Sequence, residues 1–108
     1  MNNNPIIVLI IYQAKPGMED MAKQELTSLI ESAVSEPFCA GINLHQDTDD
    51  PSRFMLYEKW MNKDYYIGEH METSHIKDFI HKAMNFLVAP PEISFWKGLW
   101  RTTETENQ

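Results

Sequence analysis

The 108-residue sequence holds a single cysteine, Cys39. One thiol excludes an intrachain disulfide and a cysteine-rich metal cluster, and it suits a reducing compartment. Positive charge is scarce as well: 9 Lys and Arg stand against 16 Asp and Glu, a formal charge of −7. The basic residues are scattered from Lys15 to Arg101 without a local patch, so neither nucleic acid nor a membrane surface is an expected partner. No apolar run reaches the length of a membrane span, and no Lys or Arg precedes Lys15 to open a signal peptide. The expected location is the cytoplasm. Also missing are a G-x-G-x-x-G or P-loop pattern for nucleotide phosphates and a G-x-S-x-G elbow for hydrolysis.

What is present reads as one ordinary domain, with 43% apolar and 23% charged residues. We place it at residues 5–101, with residues 1–4 and 102–108 expected to fray. Ile6 to Tyr12 is aliphatic and mostly β-branched, which predicts a strand covered on both faces. Met18, Met21, Ala22, Leu26, Leu29, Ile30 and Ala33 follow helical spacing, and Pro37 closes that helix. Strands are predicted from Phe38 to Gln46 and from Arg53 to Met61, separated by the turn-forming stretch Asp47 to Ser52. Asn62 caps a short helix running toward His70; Thr73 or Ser74 caps another with apolar face Ile76, Phe79, Ile80, Ala83, Met84 and Leu87. Pro90-Pro91 stops it, and Ile93 to Trp100 forms a last strand.

The order β-α-β-β-α-α-β predicts an α+β fold of the ferredoxin-like, split βαβ kind, an antiparallel sheet with helices on one face. Helices on one face leave the other bare, yet the first strand is apolar on both sides. A second copy of the chain is the simplest cover, so a two-fold homodimer is expected.

The strand Phe54-Met55-Leu56-Tyr57-Glu58-Lys59-Trp60 fits F-x-x-x-E-x-W, and His70 to His75 fits H-x-x-x-x-H. With the acidic turn Asp47 to Pro51 before them, these residues make the chain resemble the antibiotic biosynthesis monooxygenase family from about Ile6 to Trp100. The resemblance implies a dimeric α/β barrel built from two ferredoxin-like subunits, each with a pocket between sheet and helices. It also implies cofactor-free oxidation of quinols or polyketide phenols by dioxygen, although relatives include haem-degrading enzymes and an isomerase. The haem-degrading branch uses an Asn on the first strand and a Trp and His on the helical segment. Those positions fall near Ile10, His70 and Ile80 here, so haem degradation is not expected.

Glu58 lies mid-strand on the face of Phe54, Leu56 and Trp60, where a carboxylate needs a partner. His70 is the natural one. Such a pair would keep one imidazole nitrogen protonated and free the other as a base, or it would merely anchor a helix to the sheet. His75 follows His70 by five residues, which misses the i, i+4 spacing of a helical zinc pair, and no third ligand is evident. No metal site is expected, and His75 is placed at the pocket mouth. Asn43 and His45 share one strand face and are either donors to a substrate oxygen or solvated edge residues. Trp60 and Phe79 are either core or, together, walls for a flat aromatic ligand.

The leading expectation is a cofactor-independent monooxygenase acting on a small dihydroxyaromatic substrate with dioxygen. His70 and Glu58 are its catalytic pair, and Asn43, His45, Trp60, His75 and Phe79 its substrate contacts. A proton-transfer enzyme or isomerase using the same pair, and a non-catalytic small-molecule-binding stress protein, are the alternatives.

Overall fold

The computed structural model describes residues 4–99. Trp100 and the C-terminal stretch expected to fray lie outside them, as do residues 1–3. Asn4, assigned to the frayed start, is instead tied down: its N–H donates to the Met61 carbonyl at 3.2 Å, and its own carbonyl accepts from Lys63 at 2.9 Å.

Strand β1 (Ile6–Gln13) alternates buried and half-buried residues along its length. Helix α1 (Glu19–Ala33) buries Ala22, Leu26, Leu29 and Ala33, one stripe at helical spacing, against the sheet. Strands β2 (Cys39–Gln46) and β3 (Arg53–Trp60) follow, then α2 (Lys63–Ile67), a 3-10 turn (Glu69–Glu72), α3 (Ser74–Ala83) and β4 (Glu92–Trp96). The expected caps are made. Asn62 Oδ1 accepts from the Tyr65 N–H at 3.0 Å, and Thr73 Oγ1 accepts from Ile76 at 3.4 Å.

The four strands form one antiparallel sheet in the order β2-β3-β1-β4, the ferredoxin-like arrangement. Ile6, Val8, Ile10 and Tyr12 face the helices with Phe54, Leu56, Glu58 and Trp60 of β3. The opposite face carries Ile7, Leu9 and Ile11 beside Met55, Tyr57 and Trp96. Within a single chain β1 is therefore covered on one side only, not on both as its composition suggested. Tyr57 and Trp96 are 42% and 56% exposed on the bare side. Among the described residues no helix is long and apolar enough to cross a membrane.

Two predicted segments are shorter than expected. Helix α3 stops at Ala83, and Leu87 is buried past its end, where Ala14 and Leu87 form an isolated antiparallel bridge. Ile80 and Met84 stay about half exposed rather than joining the core. Strand β4 ends at Trp96, and all five of its residues are exposed, as suits an edge strand.

Candidate active site

Between the sheet and α1, the 3-10 turn and α3 lies a cavity of about 360 Å³. Its walls are mostly aliphatic and aromatic, with Ile10, Leu56, Ile76 and Phe79 among them. Four side chains of its lining carry polar atoms: Tyr12, Glu58, Tyr66 and His70.

Glu58 is placed by strand alternation, which turns every second residue of β3 toward the helices. It is 4% exposed, and the Trp60 indole N–H, two residues on along the same face, donates to its Oε1 at 2.7 Å. Among the described residues Oε2 has no hydrogen-bond partner. Burial pushes the carboxyl up to about 7; the Trp60 bond opposes this, and the negative Glu36 adds to it. The group thus exchanges its proton near neutrality.

The expected Glu58–His70 pair is not formed. His70 is 3% exposed, its ring stacked on Tyr66 (4.7 Å between centroids) and tilted against Trp60 (4.6 Å). Its Nδ1 lies 2.8 and 3.0 Å from the two oxygens of Glu36. Glu36 also binds His75 Nε2 at its Oε2 and accepts from the Tyr65 hydroxyl at 2.9 Å. Burial works to raise the Glu36 carboxyl, but hydrogen bonds from His70, His75 and Tyr65 outweigh it and hold the group below its ordinary value. For His70, burial lowers the imidazole more than Glu36 raises it. An ionised carboxylate only accepts, so the neutral His70 ring carries its proton on Nδ1 and leaves a lone pair on Nε2. Nε2 has no partner among the described residues.

Glu36 was not anticipated, and its position is a matter of backbone. Helix α1 ends before it, Pro37 follows it, and Phe38 takes a left-handed conformation (φ 70) before β2 begins. That geometry costs a non-glycine residue of order 1–3 kcal/mol. The Phe38 ring packs at 5.4 Å on Tyr65, which itself holds Glu36.

Two further polar groups escaped the sequence reading. The hydroxyls of Tyr12 and Tyr66 are buried and have no hydrogen-bond partner among the described residues. For both, burial is the main cause, with nearby Glu58 adding, of a phenol pushed well above its ordinary value. Register would have revealed Tyr12, since it shares the inward face of β1 with Ile6, Val8 and Ile10. Tyr66 sits four residues before His70, but α2 ends at Ile67 between them, and the two rings meet by stacking across the break at Gly68.

The remaining expected contacts divide. Phe79 lines the cavity. Trp60 is fully buried behind His70 and does not line it. His75 lies outside the cavity, bound to Glu36. Asn43 and His45 do share a face, but it is the wrong one: they pair with Tyr57 and Met55 and are exposed on the bare side of the sheet.

The model of a family described as antibiotic biosynthesis monooxygenase matches residues 5–82. An uncharacterised Synechocystis protein, sll1783, is 28% identical over 98 residues, which cover 88% of this chain and 64% of that one. The mouse N-terminal EF-hand calcium-binding protein 1 is 31% identical over 91 residues, covering 82% of this chain but 25% of its own length. This chain thus spans less than two thirds of either relative. Among solved structures it is similar to PA3566 from Pseudomonas aeruginosa, with a TM-score of 0.79, 26% identity and coverage of 95% and 98% of the two chains. The chain belongs to the antibiotic biosynthesis monooxygenase family.

Proposed function

We propose that the protein is a cofactor-independent monooxygenase of small dihydroxyaromatic compounds. The observation that carries this reading is one apolar cavity lined by Tyr12, Glu58, Tyr66 and His70, whose hydroxyls, Glu58 Oε2 and His70 Nε2 have no partner among the described residues. Buried polar groups without partners call for a ligand that supplies them. A flat apolar ring bearing two hydroxyls does so, and the cavity volume suits a compact ligand of this kind.

Glu58, poised near neutrality, takes a phenolic proton. The tyrosine hydroxyls donate to the oxyanion left behind, and His70 accepts from the second hydroxyl. The electron-rich anion then reduces dioxygen. One oxygen atom enters the ring and the other leaves as water, and all four electrons come from the quinol, which ends as a hydroxyquinone. The family to which the chain belongs supports the reaction class. The bare face bearing Ile7, Leu9, Ile11, Tyr57 and Trp96 supports a homodimer, sheet against sheet.

The test is oxygen uptake by chelator-treated protein over a panel of hydroquinones. Uptake that falls about 10²–10⁴-fold in Glu58→Gln is the expected result. No uptake with any phenol would sink the oxygenase, and turnover without oxygen would transfer the same groups to a proton-transfer enzyme.

A further inference from the structure

Glu36, His70 and His75 come from three segments: the turn after α1, the 3-10 turn and the first turn of α3. One ligating atom from each, an imidazole nitrogen of His70 and of His75 and a carboxylate oxygen of Glu36, lies within 4.8 Å of the others. We infer that these three side chains form a binding site for a divalent first-row transition cation. This goes beyond the oxygenase reading and does not depend on it.

Donor chemistry and geometry both point there. Two imidazoles and a carboxylate are the three-ligand set of catalytic zinc sites and of non-haem iron sites, which leave further positions for water. The spacing of His70 and His75 missed the helical template because the chain breaks between them. Thr73, extended at φ −68 and ψ 151, ends the 3-10 turn and caps α3, and the two rings converge on Glu36 from either side of this break. The carboxylate already touches both rings, at 2.8 Å from His70 Nδ1 and in direct contact with His75 Nε2.

Accessibility is graded in a useful way. The side chains of Glu36 and His70 are 6% and 4% exposed, which keeps water from competing, while His75 at 23% opens a route from solvent. The Tyr65 hydroxyl, bonded to Glu36 at 2.9 Å, would remain as the outer partner that orients the carboxylate.

Coordination also has a defined proton consequence. To free its ligating nitrogen, His70 moves its proton from Nδ1 to Nε2. The cation therefore converts His70 from an acceptor to a donor toward the cavity.

Chelator-treated full-length chain would be titrated with zinc by calorimetry and with cobalt(II) by visible absorption, without any substrate. One ion per chain is expected. Binding should weaken more than about 100-fold in Glu36→Gln and His75→Ala, beyond the loss that an outer partner brings. It should stay within about twofold in His45→Ala and in His81→Ala, the latter an exposed residue in the last turn of α3. Should a variant fail to fold, nitrogen-15 NMR of the wild-type histidines decides: zinc should move the His70 proton to Nε2. No binding, binding lost equally in His45→Ala or His81→Ala, or unmoved His70 and His75 signals would each overturn the site. Oxygen uptake by the chelated protein is measured separately, so either reading can fail alone.

Discussion

The indole of Trp60 donates its N–H to Glu58 Oε1 at 2.7 Å, from two residues along the same strand, with both side chains shielded from water. This contact steadies a carboxyl group that the cavity otherwise holds in an apolar setting, and it leaves the second oxygen uncommitted.

Glu58 should reduce stability as pH rises. Its folded value, about 7, lies above its ordinary 4.5, so between these the unfolded chain has released the proton while the folded chain still holds it. Stability is full below the lower value and is lost as pH climbs through the upper one, by about 3 kcal/mol in all. Glu58→Gln keeps the acceptor for Trp60 and removes this loss. Urea melts at pH 5 and pH 8 should show the variant gaining on wild type at the higher pH; equal differences at both would refute the assignment.

Removing the indole donor acts in the other sense. Trp60→Phe retains a ring against His70 but deprives Glu58 of its hydrogen bond, so the carboxyl is pushed further up. The acidic limb of the kcat profile should move to higher pH by about one unit, with a stability loss of about 1–3 kcal/mol. A limb that stays in place would remove Glu58 as the group that titrates.

Glu36 acts on the cavity through His70. In Glu36→Gln the imidazole keeps a neutral amide acceptor but loses the negative charge that helps to raise it, so it should titrate lower still in a proton NMR series. Turnover should fall by about 10-fold with KM little changed, because the group positions the ring rather than touching substrate. A raised KM with unchanged kcat would indicate a different role.

The bare sheet face can be tested without entering the cavity. Tyr57 is 42% exposed and points away from the helices, so Tyr57→Glu should leave the subunit folded while placing two like charges in a two-fold interface. Light scattering should report a dimer for wild type and a monomer for the variant. Wild type that runs as a monomer would refute the interface.

Much of the fold was legible because its signals are local. Asn62 and Thr73 act on backbone groups three residues away, and the alternation from Phe54 to Trp60 assigns faces by parity alone. Parity also put Asn43 and His45 together. It could not say which side they took, since that depends on their pairing with Tyr57 and Met55 across the sheet. Glu36 was beyond reach for a related reason. Its partners His70 and His75 lie 34 and 39 residues away, and the turn that aims it depends on a left-handed Phe38 that composition does not signal. The Glu58–His70 pairing failed on the same ground: both residues do line one cavity, but the nearer carboxylate came from a segment that looked like a connector.

The half-exposed Ile80 and Met84 line the cavity, as do Pro90 and Pro91, so its border is unequal in stiffness. A methionine side chain swings through several rotamers at little cost, whereas paired prolines hardly yield. If the cavity takes a ligand, a bulkier one should be accommodated by displacement of the Met84 side chain, while substituents directed at the prolines should be turned away.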